Sequence, residues 1–445
     1  MFDPADEPSF RLDVAGLSAP FEVLAFTGCE AISEPFAFEI DLLIDDPHLD
    51  LAGLLYRSAQ LFFGPKGNRV HGQLHSLVQH EHGHGARLCR ARLAPKLSCL
   101  NLRFSRRIFS GQSVPQILDQ VLKEHGITGA QRRFDLHADY PPRSFCTQYR
   151  ESDLQLVQRL CTQAQIHYHF EHAQDGHCLV FGDDPQRMPR VDVAAVDDEG
   201  NSGAPAVRRW QMREDVSQRW SKVKSAQGFS DQSTLRSGRW LSMSGDPSNP
   251  CPANWLLTRI EHRADQALEP PYSNLIRATD RWHGVSSAAC SRLHMQGLQR
   301  AWVVTVDEPQ PDCLRPVAVQ FDWLYQGEGA TPSHCWLPLA PALADTPPAL
   351  LREGAEVVVS FLEGDPDQPI ISGVLQPCAL QSDLQEEEPL SAPEKLATEG
   401  MAQWLAAAEP LLLLCLIPGG GSFSHCPQAL CSCRLVAGLN PGDGR

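Results

Sequence analysis

Residues 149–172 read YRESDLQLVQRLCTQAQIHYHFEH, and this stretch decides the interpretation of the chain. Ser152 stands just before apolar residues spaced every three to four positions, which predicts a helix capped by Ser152. The acidic Glu151 and Asp153 would lie at its positively charged end. Residues 166–171 and 177–181 flank Asp175-Gly176 and predict a β-hairpin. The helix would direct inward the side chains of Leu154, Leu156, Val157, Leu160 and Cys161.

Short strands are predicted on both sides of this stretch. Upstream, alternating apolar positions favour strands over residues 21–26, 36–44, 60–63, 70–78 and 88–97. A helix capped by Ser113 would follow them. Residues 186–250 are polar and predict short strands with long loops. Downstream, five short strands over 302–306, 317–323, 335–339, 355–362 and 370–375 suit a small barrel of the OB type.

Composition excludes several classes of function. The 445 residues carry 38 basic and 54 acidic side chains, a net charge of −16, which would repel a nucleic acid backbone. The N-terminus MFDPADEPSF has neither the basic nor the apolar region of a secretory signal. The longest apolar run, residues 411–417, is too short to span a bilayer. We therefore expect no nucleic acid partner and no stable membrane insertion.

Three stretches carry a family resemblance. Residues 149–172, continued by His177, Leu179 and 183–185, resemble the hub pattern of VgrG proteins, the spike proteins of type VI secretion systems. Residues 26–28 and 33–38 resemble the N-terminal strand pair of that hub. The segment GAEVVVSFLEGDPDQPIISG at 354–373 is similar to the end of the family's OB-like domain. Together these matches cover about residues 10–378.

The resemblance implies a mainly β protein with an α+β hub. Barrel-like domains of the phage tail hub type would be followed by an OB-fold-like β-barrel and a short, mostly helical or irregular tail. We expect a first hub part at residues 1–185, a second at 186–300 and the OB-like neck at 301–378. An acidic linker would occupy 379–400, and an apolar, Cys-rich tail 401–445, in place of the family's long β-helical needle.

The resemblance also implies which proteins the chain would bind. Three copies would assemble into a homotrimer that caps the hexameric ring protein of the inner tube. A tip-sharpening protein and an effector or adaptor chaperone would be further partners. The chain would be cytoplasmic before firing and then secreted through the machine without a signal peptide. We expect neither a catalytic residue nor a cofactor.

Two histidine or cysteine patterns suggest metal chemistry. His80-Glu81-His82-Gly83-His84 matches the H-E-x-x-H motif of zinc hydrolases, which needs both terminal His residues on one face of a helix. Gly83, Gly85 and the flanking strands favour a polar hairpin tip instead. In the tail, four soft ligands lie within nine residues, but free or buried thiols are the main interpretation. These low-ranked metal candidates are His425, Cys426, Cys431 and Cys433.

The tail also carries the candidates for partner binding. An apolar segment precedes Gly419–Gly421 and would be costly to leave in water, at about 1.5–3 kcal/mol per large side chain. A core or interface helix is the main interpretation, and a docking segment for cargo or a chaperone is the alternative. The candidate contact residues are Trp404, Leu411, Leu412, Leu413, Leu414, Leu416 and Ile417.

Three functions remain open from the sequence. The first is a structural hub and tip component that carries or positions effectors. The second is an adaptor that loads cargo or a partner, with the puncturing spike supplied by another chain. The third, which the hairpin interpretation disfavours, is a metal-dependent hydrolase acting through His80, Glu81 and His84.

Overall fold

The computed structural model describes residues 10–46, 48–64, 68–82, 87–193, 207–216, 222–243, 254–281, 294–307, 316–324 and 334–375. These residues form two compact units. The first contains residues 10–105, 111–144 and 150–281, and the second contains 106–110, 145–149 and 294–375. No helix among them is long and apolar enough to cross a membrane.

A closed antiparallel barrel begins the first unit. Its strands follow the order β1-β4-β5-β6-β3-β2, and pairing of β1 with β2 closes the ring. Alternate residues of β3 are buried, as expected for a strand with one face on a core. The aromatic rings of Phe10, Phe26, Phe38 and Phe63 meet inside. The strands are β1 (Phe10–Val14), β2 (Phe21–Ala31), β3 (Glu34–Ile44), β4 (Ser58–Phe63), β5 (Arg69–His82) and β6 (Arg87–Ala94).

Two helices and five short strands follow the barrel. The predicted capped helices are both present, and the predicted hairpin is the antiparallel pair β10–β11. Strand β8 adds to β11 in parallel, while β7 pairs with β9. In chain order the elements are β7 (Phe104–Phe109), α1 (Val114–Glu124), β8 (Arg132–Asp135), β9 (Cys146–Ser152), α2 (Asp153–Gln163), β10 (His167–His172) and β11 (His177–Gly182).

The rest of the first unit continues the barrel sheet. Residues 259–265 of β16 pair with residues 25–31 of β2, and the sheet then runs through β17 and β14 to β13. The prediction of short strands over 186–250 is wrong for β13 and β14, which are ten and nine residues long. These strands are β12 (Arg190–Val193), β13 (Val207–Val216), β14 (Lys222–Ser230), β15 (Trp240–Met243), β16 (Asn254–Asp265) and β17 (Tyr272–Thr279).

The second unit is a five-stranded antiparallel barrel. Its order is β20-β19-β18-β21-β22, and a parallel bridge between Leu339 and Ile371 joins the two ends. All five predicted strands are present, and the core includes Val319, Phe321 and Val359. Gly364 adopts φ 72°, which allows the backbone to bend after β21. The strands are β18 (Gln299–Val303), β19 (Val317–Phe321), β20 (His334–Leu337), β21 (Glu356–Phe361) and β22 (Pro369–Leu375).

One close approach in the first barrel can be tested directly. Gly28 of β2 pairs with Phe38, and a Cβ at Gly28 would lie 2.2 Å from the Phe38 ring. Overpacking of this kind costs about 1–3 kcal/mol, so Gly28→Ala is expected to lower the free energy of unfolding by that amount. Gly176→Ala is the control, because nothing lies within 4 Å of the added methyl group. Urea denaturation measures both.

A second substitution shows whether the Phe38 ring is the cause. Phe38→Leu in the Gly28→Ala background removes the clashing ring atoms, so the double variant should lose less stability than the sum of the two single changes. Equal losses for Gly28→Ala and Gly176→Ala would contradict this packing of Gly28 against the ring.

Candidate functional site

The structure constrains only part of the candidate set proposed from the sequence. His80 is exposed near the end of β5, and the backbone of Glu81 and His82 continues that strand. Because β5 pairs with β6 up to His82 and Arg87, the predicted flanking strands are confirmed and the backbone up to residue 82 is not helical. His84 and all eleven tail candidates, from Trp404 to Cys433, lie outside the described residues.

The stretch at residues 149–172 contains a buried ion pair. Glu151, at the end of β9, faces Arg159 on α2 through two hydrogen bonds, with Nη2–Oε1 at 2.8 Å and Nε–Oε2 at 3.2 Å. Both side chains are only 6% exposed. The expectation that Glu151 serves the helix dipole is therefore incomplete, because its charge is neutralised by a guanidinium in a paired geometry. The pair fixes the strand against the helix.

Asp153 begins α2 and is completely buried. The Ser152 hydroxyl caps the helix by accepting the Gln155 backbone N–H at 3.2 Å. The Asp153 carboxylate lies in the first turn, as predicted, but it also binds the Arg103 guanidinium and His125 Nε2, the latter at 2.7 Å. The second carboxylate of the motif thus connects α2 to the segments before and after α1.

Two stretches that carry the resemblance meet in space. The Ser33 backbone N–H donates to the Tyr168 carbonyl at 2.8 Å, and the Tyr168 N–H donates to the Ser33 hydroxyl at 3.3 Å. The rings of Phe36 and Phe170 pack edge to face with centroids 4.9 Å apart. These four residues therefore have packing roles and form a joint between β3 and β10.

A buried histidine cluster escaped the sequence analysis. His71 Nδ1 lies 3.0 Å from His177 Nδ1, and the His71 backbone N–H donates to His172 Nδ1 at 3.2 Å. Burial lowers the pKa of His71, brings that of His177 to about 4 and holds that of His172 well below its usual value. These rings are therefore neutral at pH 7. Among the described residues, no group of three or more His, Cys, Asp or Glu is arranged to hold a metal ion.

An open groove of about 630 Å³ crosses the outer part of the shared sheet. It is lined by β2, β3, β14, β16 and β17, and its charged residues include Arg259 and Glu261, which form an ion pair at 3.2 Å. Burial raises the pKa of the Cys29 thiol in this groove to about 11, so the thiol is protonated and weakly nucleophilic at pH 7. The groove offers a mixed polar and apolar surface.

The buried ion pair predicts a large stability effect. Arg159→Met removes the guanidinium that binds the buried Glu151 carboxylate, so we expect a loss of about 3–5 kcal/mol in the free energy of unfolding. Arg90→Met is the matched control, because Arg90 also binds a carboxylate, Asp41, through two hydrogen bonds of 2.7 and 2.9 Å but is exposed. Its loss should be below about 1 kcal/mol. Similar losses of stability in the two variants, measured at equal protein concentration, would contradict the assignment of Glu151 and Arg159 as a buried ion pair.

The histidine cluster predicts sensitivity to acid. A folded-state pKa below the unfolded value means that the unfolded chain binds more protons below pH 6.5. The free energy of unfolding should therefore fall as the pH is lowered from 6.5 to about 4, by about 1.4 kcal/mol per pH unit for each such histidine. His177→Gln should reduce the slope of the free energy of unfolding against pH by the contribution of one proton. Chemical unfolding across this pH range measures the slope. An unaltered slope in His177→Gln would refute the prediction.

Comparison with known proteins finds a family and relatives that this chain resembles. A family described as the phage tail baseplate hub (GPD) matches residues 29–225. The type VI secretion system spike protein VgrG5 of Pseudomonas aeruginosa is 34% identical, over 84% of this chain and 58% of its own length. The chain thus spans less than two thirds of that relative.

Two solved structures share the fold. The E. coli c3393 protein, described as a type VI secretion component similar to the T4 phage tail proteins gp27 and gp5, aligns with a TM-score of 0.67 at 24% identity. The alignment covers 82% of this chain and 99% of that one. A Francisella PdpA–VgrG complex aligns with a TM-score of 0.55 at 8% identity, covering 87% of this chain and 82% of that one. The chain belongs to the VgrG family of type VI secretion system spike proteins.

Proposed function

We propose that this chain is the trimeric hub of a type VI spike. Three copies cap the hexameric ring protein of the inner tube and are expelled with it, carrying or positioning effectors. The observation that carries the proposal is the sheet shared by the β1–β6 barrel and the β12–β17 strands. Each chain thereby supplies two joined β assemblies, so a trimer supplies six positions to a sixfold tube.

We infer that the work of the hub is mechanical rather than catalytic. The two motif carboxylates, Glu151 and Asp153, are engaged with Arg159, Arg103 and His125. Buried, paired charges of this kind favour a scaffold that keeps one shape under load, because removing one partner from a buried ion pair is strongly destabilising. A hydrolase acting through His80, Glu81 and His84 is disfavoured by the strand backbone at residues 80–82.

The partners follow from the same role. The Francisella relative is found in a complex with PdpA, which supports a hub that accepts a further protein. For this chain we propose a tip-sharpening protein and an effector or adaptor chaperone, bound through residues 404–417. We propose that the chain is cytoplasmic before firing and leaves the cell through the machine. The alternative, an adaptor whose puncturing spike is supplied by another chain, uses the same docking segment.

Native mass measurement tests the trimer. The full chain at micromolar concentration should have three times the mass of one chain by light scattering. A chain lacking residues 381–445 should also trimerise, because the proposed hub core lies upstream, but it should fail to recover cargo and to be secreted. A full chain that remains monomeric would refute the hub.

The truncated chain separates the remaining alternatives. Loss of the trimer on truncation would make the tail an assembly element. Unchanged assembly together with unchanged cargo recovery would remove the docking role and the adaptor with it.

A further inference from the structure

The tip of the β10–β11 hairpin rests on the barrel through imidazole rings. His172 ends β10 and His177 begins β11, and the two residues face each other across the turn. Both rings pack edge to face on Phe36 of β3, and the ring centroids of His177 and of His71 on β5 lie 5.2 Å apart. The contacts between the tip and the barrel therefore include three rings that can each bind a proton.

Hydrogen bonds in this cluster depend on neutral rings. The His71 backbone N–H donates to His172 Nδ1 at 3.2 Å, so an imidazole of the hairpin takes the place of a carbonyl acceptor. His71 Nδ1 lies 3.0 Å from His177 Nδ1, where one ring donates and the other accepts, and Ser58 Oγ of β4 lies 2.7 Å from His71 Nε2. A protonated imidazole has two donors and no acceptor. Protonation of His172, or of the accepting ring in the His71–His177 contact, therefore breaks a bond between tip and barrel.

The charges around the three rings do not compensate for a bound proton. Arg236 and Arg239, in the loop before β15, act on His172, and both are positive. The rings also disfavour each other's charge because they lie close together. Glu171, next to His172 along β10, points to the other face of the hairpin, where two hydrogen bonds of 3.0 Å join it to Arg133 of β8. A proton in the cluster thus meets repulsion on the face that contacts the barrel.

Other contacts hold the base of the same hairpin. The Ser33 backbone N–H and hydroxyl bond to the backbone of Tyr168, and the Gln158 side-chain N–H₂ of α2 donates to the Tyr168 hydroxyl at 3.4 Å. Strand β8 pairs in parallel with residues 179–182 of β11. None of these bonds contains a group that titrates between pH 7 and pH 5, so the base can stay attached when the tip is protonated.

We propose that the hairpin tip, residues 171–178, is an acid-sensitive latch. When the histidine cluster binds protons, the tip separates from β4 and β5, while the base of the hairpin and the barrel stay folded. The tip also contacts β4 through a bond from Gln60 Nε2 to the Gln174 carbonyl at 3.2 Å, which is exposed to water and can be replaced by it. On opening, the His71 N–H loses its acceptor and faces solvent. The inference is independent of the proposed trimer, because every contact that it uses lies within one chain.

Proton linkage sets the direction and the size of the effect. Burial brings the pKa of His177 to about 4, whereas an imidazole in water has a pKa of about 6.5. The open tip therefore binds protons more tightly than the closed tip, and acid favours opening. For His177 alone, these two pKa values predict that the ratio of open to closed tip rises about 20-fold between pH 7 and pH 5.

Hydrogen exchange at the His71 amide tests the latch in the full chain. After correction for the intrinsic exchange rate, protection of this amide should fall by at least about 20-fold between pH 7 and pH 5. The amide should exchange faster than those of β3, and low concentrations of urea should leave its exchange unchanged, because opening the tip exposes little surface. Protection at His71 that does not change with pH, or exchange with the same rate and urea dependence as β3, would overturn the proposal.

Two hairpin variants locate the effect at the tip. His177→Gln removes a titrating ring and keeps a polar side chain, so the fall in His71 protection should be about 20-fold smaller than in the unaltered chain. His167→Gln is the matched control, since burial also brings the pKa of His167 to about 4 but this residue pairs with Gly182 at the base of the hairpin. It should leave the acid response of the His71 amide unchanged. Equal responses to the two substitutions would contradict a latch at the tip. The measurement on the unaltered chain decides the proposal even where a variant fails to fold.

Discussion

The antiparallel pairing of β2 with β16 is the interaction on which the hub depends. Seven consecutive pairs run from Ala31 opposite Arg259 to Ala25 opposite Asp265. Strand β2 pairs on its other side with β3, and its first residues close the barrel against β1. A single strand is therefore shared between the barrel and the later strands. Because both edges of β2 are used, separation of the two halves would break a complete ladder of hydrogen bonds.

Side chains along this seam explain why one register is preferred. Gly28 lies between Phe38 on one neighbour and His262 on the other, and the missing side chain leaves room for the Phe38 ring. The Phe38 and His262 rings pack with centroids 5.3 Å apart. A shift by one residue would move every inward side chain of β2 to the opposite face. The glycine, the aromatic rings and the buried Glu30, which faces His262 and Arg236, therefore all favour the same pairing.

The sequence predicted what depends on local pattern. The capped helix at Ser152, the hairpin after it and the five strands of the second barrel follow from spacing and turn residues within a short window. The lengths of β13 and β14 could not be predicted from the sequence, because their polar residues obscure the alternation of apolar and polar positions. The His71 cluster and the contacts of Glu30 with Arg236 and His262 could not be predicted either, because each joins residues more than 100 positions apart. Such pairs are determined by topology, which no short motif encodes.

Native-state hydrogen exchange measures the central claim, that barrel and later strands form one cooperative sheet. Amides of β2, β3 and β16 should exchange through the same opening and give one common free energy, because β16 cannot leave without breaking the β2 ladder. The contrary result would be a separate opening of β16 and β17 at lower free energy while β3 stays protected. That outcome would make the shared sheet two independent assemblies.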